Sequence, residues 1–282
     1  MKKIFVLLIV LAGFLVSAFC DEPAKEEKPL WEAGLFNGAV RYPDYRGSDE
    51  YTAYILPLPY FIYRGELIRI NREGVKGIFW SNDRIETALS LSGWPPVNKD
   101  NKARQGMPEI GAIAEIGPGI KIFIREREAE DPLYIKAGVR AAVSADNDLS
   151  VAYRGLRGDA KLVYRNRTWL KDQKIKLGLA AGVSFANRAY TDFLYGVDPI
   201  YATATRPAYS ADGGYAGFNA SAYAVKKLND RWLVRAYYRW DNLSGTAFAD
   251  SPLVKTENNH IVGIALTWRI FESDKTSRYQ SD

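Results

Sequence analysis

The sequence predicts an all-β fold: a closed antiparallel transmembrane β-barrel of about 12 strands, with short periplasmic turns and long external loops. Three observations lead there. Apolar and polar residues alternate with period two along most of the chain, which marks half-buried strands rather than amphipathic helices. Beyond the first 20 residues no uncharged apolar run reaches the length of a spanning helix. The long connections between the predicted strands all share one parity, as a barrel that displays its loops on one side of a membrane requires.

The first element is Met1 to Cys20. Lys2 and Lys3 precede an unbroken apolar run from Ile4 to Val16, and Ser17 and Ala18 supply small residues, the layout of a secretory signal peptide. Cleavage is expected after Ala18 or after Cys20. Phe19 stands where a small residue would precede a lipidated cysteine, which argues against lipid attachment. Residues 1–20 are therefore expected as signal peptide and 21–282 as one outer-membrane barrel domain. Removing the signal takes two lysines and no acid, so a formal charge of +5 becomes +3 (5 less 2). So weak a basic balance does not point to nucleic acid.

Strands are expected near 31–41, 52–63, 66–72, 75–81, 83–93, 109–125, 132–144, 149–167, 174–187, 215–227, 231–242 and 260–271. The alternation is clearest late in the chain. Trp232, Val234, Ala236, Tyr238 and Trp240 oppose Arg231, Leu233, Arg235, Tyr237 and Arg239, and Val262, Ile264, Leu266, Trp268 and Ile270 oppose Gly263, Ala265, Thr267 and Arg269. The strands are long enough to cross a membrane at a tilt, and Trp31, Trp94, Trp169, Trp240 and Trp268 fall near strand ends, where an interfacial girdle belongs. The long connections are 42–51, 94–108, 188–214 and 243–258, while 126–131, 168–173 and 228–230 are short. Two places resist the pattern. Pro57 and Pro59 lie in the second strand, where a closed barrel offers no free edge, and the apolar parity slips across Gly155 to Gly158, which suggests a bulge or a break.

Composition excludes much chemistry. One histidine and one cysteine leave no basis for a zinc, iron or copper site, and no cofactor is expected. Any catalytic triad would have to use His260, with Glu257 and Asp250 in the preceding loop, but no spacing connects them, and the chain is read as not an enzyme. The inward parity instead collects cations: Lys121, Lys136, Arg140, Lys161, Arg165, Lys174, Lys176, Arg231, Arg235 and Arg239, against Glu115, Glu66 and Glu86. An open lumen so lined would favour anions. The preferred reading is a filled interior in which these cations bond to Glu, Tyr and water, with loop 188–214 folded inward on Tyr190, Tyr195, Tyr201 and Tyr209.

The loops carry a resemblance. The segments Tyr42-Pro43-Asp44-Tyr45-Arg46-Gly47-Ser48-Asp49-Glu50-Tyr51 and Leu56-Pro57-Leu58-Pro59-Tyr60-Phe61-Ile62-Tyr63-Arg64-Gly65 come first. Ala103-Arg104-Gln105-Gly106-Met107-Pro108-Glu109 and Glu115-Ile116-Gly117-Pro118-Gly119 follow, then Tyr195-Gly196-Val197, Gly213-Gly214 and Ala249-Asp250-Ser251-Pro252-Leu253-Val254. In this order they resemble the MipA/OmpV family, which takes in MltA-interacting protein and its outer-membrane relatives, over essentially the whole mature chain. Leu194-Tyr195 departs from the aromatic pair expected before Gly196-Val197, and the tail runs on past Phe271.

The resemblance implies a Gram-negative outer-membrane barrel. It further implies a scaffold that joins a lytic transglycosylase, which cleaves murein, to a bifunctional murein synthase, with outer-membrane lipid and lipopolysaccharide as surroundings. The alternative is a narrow channel for small anionic or zwitterionic solutes, and surface adhesion through the long loops is compatible with either. The motif residues Tyr42, Pro43, Asp44, Tyr45, Gly47, Ser48, Arg104, Gly106, Met107, Pro108, Ser251 and Pro252 read physically as turn chemistry, proline fixing φ and glycine permitting positive φ. Arg104 is expected to pair with Asp44, Asp49 or Glu50 at the barrel mouth.

Overall fold

Period-two alternation becomes a single antiparallel sheet that curls and closes. The computed structural model describes residues 29–64, 68–71, 74–127, 129–145, 151–166 and 174–276, with 68–71 and 74–78 described by backbone alone. The signal segment 1–20, Glu66 and the turn 168–173 with Trp169 lie outside the described residues. The strands are β1 (Trp31–Pro43), β2 (Tyr51–Arg64), β3 (Ile68–Asn71), β4 (Gly74–Ser81), β5 (Ile85–Trp94), β6 (Ala112–Phe123), β7 (Leu133–Ala145), β8 (Val151–Asn166), β9 (Ile175–Ala186), β10 (Gly214–Lys227), β11 (Trp232–Asn242) and β12 (Asn258–Glu272). Each pairs with its sequence neighbours, and β1 pairs with both β2 and β12, so the order closes on itself. One helix, α1 (Arg188–Tyr195), sits in the connection between β9 and β10. No described helix is long and apolar enough to cross a membrane.

The two faces separate as the alternation requires. On β12, His260, Val262 and Ile264 face outward and exposed, while Asn259, Ile261, Ala265 and Thr267 face the interior and are buried. On β7, Ile135 and Val139 face out while Tyr134 and Arg140 face in. At the end where β1 begins and β12 finishes, Trp232 stacks on Trp268 at 5.3 Å and Trp31 on Phe61 at 6.2 Å. At the opposite end Trp240 meets Phe218 edge-on at 5.9 Å. These pairs mark two aromatic girdles of the kind that flank a membrane-spanning band. Trp94 is not part of a girdle. It is buried edge-on against Tyr42 at 5.3 Å and donates its Nε1 proton to the Asp44 carbonyl at 3.3 Å, because its strand ends inside the loop cap.

Both irregular places have local causes. Between β7 and β8 the register shifts, with Ala142 opposite Gly155 and Val143 opposite Tyr153, so Arg154 is an inserted residue. Gly155 takes φ +117, a conformation that costs an L side chain 1–3 kcal/mol or about that much, and the bulge re-aims every residue beyond it. The prolines follow from register. The Asp44 N–H donates to the Glu50 carbonyl at 3.0 Å and the Arg64 N–H to the Leu30 carbonyl at 2.8 Å, which puts the hydrogen-bonded pairs of β1 and β2 on even-numbered residues. Pro57 and Pro59 are odd, so their nitrogens point away from β1. On that side β2 pairs with β3 at Tyr63–Ile70 and Arg64–Arg69, and at no other described residues.

Candidate functional site: a capped, ion-paired lumen

The interior cations meet carboxylates. Glu115 of β6, buried, accepts hydrogen bonds from Arg140 Nε at 3.2 Å, from Arg157 Nη1 at 3.4 Å and from the Tyr190 hydroxyl at 2.9 Å. Arg140 also donates to Ser90 Oγ at 3.0 Å and lies 3.0 Å from Asp159, which in turn holds Lys161 at 3.5 Å. Lys121 stands 3.1 Å from Glu86, which also takes Arg127 at 2.9 Å. Higher in the barrel Asp241 sits between Arg239 at 2.6 Å and Arg46 at 3.2 Å. Such pairs repay desolvation only when geometry and extra hydrogen bonds are good, and Glu115 has three donors.

Of the residues expected to line a lumen, Lys121, Arg140, Arg235 and Arg239 are buried inside, and Lys136 and Lys176 face inward half-buried. Lys174 and Arg231 do not line it. Both precede the first residue of their strand, Ile175 and Trp232, and their side chains are exposed at turns. Asp159 shares the parity of Lys161 and Arg165, and Asp241 that of Arg235 and Arg239, so alternation aims both acids inward as well, although the acids singled out in the sequence were Glu115, Glu66 and Glu86. These two acids, with Glu32 at 3.2 Å from Arg64, supply further counter-charges to the inward cations.

Above this network four connections close the mouth. The segment 44–50 turns back on Gly47, whose N–H donates to Asn259 Oδ1 at 2.6 Å while Asn259 Nδ2 returns a bond to the Ser48 carbonyl at 2.7 Å. Asp44 Oδ2 accepts from Asn101 Nδ2 at 2.9 Å, which ties in the segment after β5. Helix α1 starts at Asn187, whose side chain accepts from the Tyr190 N–H, and it carries Tyr190 and Tyr195 down into the barrel. Tyr195 is the hub. Its ring stacks on Phe248 at 3.8 Å, its hydroxyl donates to the Arg46 carbonyl at 2.9 Å, and its carbonyl accepts from Ser251 Oγ at 2.7 Å. Tyr45 completes the knot by donating to the Leu253 carbonyl at 2.7 Å.

Burial pushes the Tyr195 hydroxyl up to about 12 and raises those of Tyr45 and Tyr190 well above the ordinary tyrosine range. It also lowers Arg46 and Arg104 from the usual guanidinium value.

The motif residues converge here. Tyr42, Pro43, Asp44, Tyr45, Gly47, Ser48, Arg104 and Ser251 are buried in the cap, Met107 and Pro252 are half-buried, and Gly106 and Pro108 are exposed on its rim. Arg104 does not pair with Asp44, Asp49 or Glu50. It donates to the Leu194 carbonyl at 2.9 Å, and Asn101 takes the place beside Asp44. Tyr190 and Tyr195 enter the core as the loop reading expected, whereas Tyr201 stays outside it and Tyr209 only packs against it. His260 faces outward, with Nδ1 2.8 Å from the Tyr238 hydroxyl, and Glu257 accepts from Ser244 at 2.7 Å instead of approaching it.

Against known proteins, the family described as "MltA-interacting protein MipA" matches residues 35–270. The outer membrane protein OmpV of Vibrio cholerae serotype O1 (strain ATCC 39315 / El Tor Inaba N16961) is 33% identical over 99 residues, covering 33% of this chain and 38% of that protein. Outer membrane protein Omp26La of Vibrio anguillarum is 31% identical over 88 residues, 31% of this chain and 34% of that protein. The chain thus spans little more than a third of the curated relatives it matches. Among solved structures, a NanC porin superposes over 84% of this chain and 100% of its own at TM-score 0.42 and 6% identity, too distant to bear on function.

Proposed function

Because the chain belongs to the MltA-interacting protein MipA family, an outer-membrane family, we propose that it is a non-catalytic scaffold of that membrane which brings a murein hydrolase and a murein synthase together during cell-wall growth. The chain is an outer-membrane protein. In this reading the capped end, with the connections around Tyr45, Arg104, Tyr195 and Ser251, is external, and the short turns, with the start of β1 and the end of β12, face the periplasm. The hydrolase partner is a lytic transglycosylase and the synthase a bifunctional one; both would engage the periplasmic turns 126–131, 168–173 and 228–230.

The observation that supports the scaffold over a conduit is the closed mouth: Tyr195 stacked on Phe248 at 3.8 Å, above the ion pairs of Glu115 and Asp241. A lumen filled in this way leaves the barrel's surfaces to carry its role. The test is binding of purified lytic transglycosylase to the reconstituted barrel. Capture weakened by substitutions in turn 228–230 is the expected result, and capture weakened only by external-loop changes overturns the assignment.

A second reading, a narrow channel for small anionic or zwitterionic solutes, is favoured by one feature. Lys121, Lys136 and Lys161 stand directly opposite one another across β6, β7 and β8 on the inner face, an arrangement that costs energy unless anions or carboxylates offset it. Single-barrel conductance decides between the two. A current selective for anions that Arg235→Glu or Arg239→Glu reverses would support the channel.

A further inference from the structure

The outer face of the barrel is not apolar at every height. Arg41 of β1 faces outward and exposed, and its neighbours in register are Val262 of β12 and Ala53 of β2, so no acid stands beside it in its row. Among the described residues it makes no ion pair, and its guanidinium lies 4.0 Å over the ring of Tyr51. Two residues from Val262 on the same face of β12 is His260, a diagonal neighbour of Arg41 at about 7–8 Å across the strand pair. The Tyr51 hydroxyl accepts from the His260 N–H at 3.2 Å, and the imidazole stacks on Tyr238 at 6.0 Å with Nδ1 2.8 Å from its hydroxyl. A hydroxyl that donates to Nδ1 leaves the ring proton on Nε2, which has no hydrogen-bond partner among the described residues. Two donors, one of them a permanent cation, are thus held on one patch of outer wall by two tyrosines.

Height fixes what these donors meet. His260 stands opposite Trp240 in register, the girdle residue at the capped end. From Trp31, in the other girdle, β1 climbs to Arg41 over about 34 Å of strand at ~3.4 Å per residue, or about 26 Å of height at a tilt of roughly 40°. The apolar band of a membrane barrel is about 25 Å tall, so Arg41 and His260 sit where hydrocarbon gives way to headgroups. A cation turned towards lipid is costly at mid-bilayer and tolerated at this level, where a phosphate can answer it. Towards the bilayer centre the neighbouring outer wall is Val262, 54% exposed, and Ile264, 57% exposed, a floor for acyl chains. A guanidinium fork suits two phosphate oxygens at once, and the Nε2 proton suits a third.

We infer that this patch binds a phosphate of lipopolysaccharide, with Arg41 and His260 on the phosphate and the acyl chains along Val262 and Ile264. The inference rests on the external orientation of the cap proposed with the scaffold, and on neither murein enzyme. The full mature barrel, purified in detergent, is incubated with lipopolysaccharide, with the same lipopolysaccharide after dephosphorylation, or with phosphatidylglycerol, and the retained lipid is counted by native mass spectrometry. Retention of the phosphorylated form several-fold above the dephosphorylated one is the expected result. Arg41→Gln and His260→Gln should each lower it several-fold, Arg41→Lys should fall between, and Arg231→Gln at an exposed turn should leave it unchanged. Heat-modifiable migration in a gel shows that each variant is folded. Equal retention by the parent and both glutamine variants, or indifference to the phosphate, overturns the site. Arg41-dependent retention of phosphatidylglycerol in preference to lipopolysaccharide overturns it as well, by making the patch a phospholipid site. Labelling of Ala208→Cys, an exposed cap position, by an impermeant maleimide on intact cells reads the orientation separately. A labelled cap without phosphate-dependent retention sinks the site alone, whereas an unlabelled cap sinks the orientation and the site with it.

Discussion

The wall from β6 to β9 and the wall from β1 to β5 solve the same problem in different ways. From β6 to β9 the ladders are long and nearly continuous, broken by one bulge, and the inner face carries Glu115, Arg140, Arg157, Asp159 and Lys161. From β1 to β5 the described inner face carries Phe36, Val40, Leu56 and Leu58, all buried, with the buried charges Glu32, Arg64 and Glu86 nearer the opposite end, and the described β2–β3 pairing covers Tyr63 and Arg64. A complete ladder satisfies every backbone group, so the interior behind it can hold charges that satisfy one another. The polar wall therefore depends on specific partners, and the apolar stretch at Leu56 and Leu58 on packing.

The sharpest way to break this contrast is to remove the acid that three donors share. Glu115→Ala leaves Arg140 and Arg157 buried without it, and breaking a buried pair in this manner costs about 3–5 kcal/mol. The expected outcome is a large fall in the urea midpoint of the folded barrel, read by tryptophan fluorescence in detergent. Leu58→Ala on the other wall removes packing alone, and a fall as large as that of Glu115→Ala would mean the two walls do not differ in this way.

Strand alternation was the most legible feature of the sequence. Alternation placed Ile264 outside and Ala265 inside directly, and Arg235 and Arg239 followed from the same parity. The same parity that aims Lys161 and Arg165 inward also aims Asp159, but alternation says which face a residue takes and not which partner it meets there, so the pairing of Asp159 with Arg140 had to come from the fold. Loop chemistry was legible as turns, with Pro43 and Gly47 as punctuation, but not as a cap. The bonds that make the cap, such as Asn259 to Ser48 and Tyr195 to Arg46, join residues more than a hundred positions apart, and no local pattern encodes them. Helix α1 escaped for a similar reason: at 8 residues it is too short to display a helical period, and its Asn187 cap is the one local signal.

The bulge offers a second, smaller test of the polar wall. A Cβ at Gly155 would lie 2.4 Å from Asn187 Oδ1 and 2.5 Å from the Tyr190 nitrogen, at a φ that disfavours any side chain. Gly155→Ala should therefore cost about 1–3 kcal/mol and loosen the start of α1, since Asn187 caps that helix and also accepts from the Leu156 N–H. Faster amide exchange at Tyr190 and Thr191, with β11 and β12 unchanged, is the expected reading. Exchange spread evenly around the barrel would show that the bulge serves the wall and not the cap.

The smallest effect isolates a single bond in the cap and has a sign that depends on pH. Tyr195→Phe keeps the stack on Phe248 and loses the bond to the Arg46 carbonyl, which costs on the order of 1 kcal/mol at neutral pH. Alkaline conditions invert the ranking. Tyr195 is held up to about 12 in the folded chain against 10.0 ordinarily, so between those values the unfolded chain has lost a proton that the folded chain keeps. A folded pKa above the unfolded one gives stability that is complete below the lower value and is lost as pH rises towards the higher. By pH 12 that loss is on the order of 2 kcal/mol, and the phenylalanine variant, with nothing to ionise at this position, escapes it. Tyr45 and Tyr190 titrate in both proteins and cancel from the difference. The two stability curves should cross between pH 10 and 12, and parallel curves would mean that Tyr195 is reached by hydroxide without opening the cap.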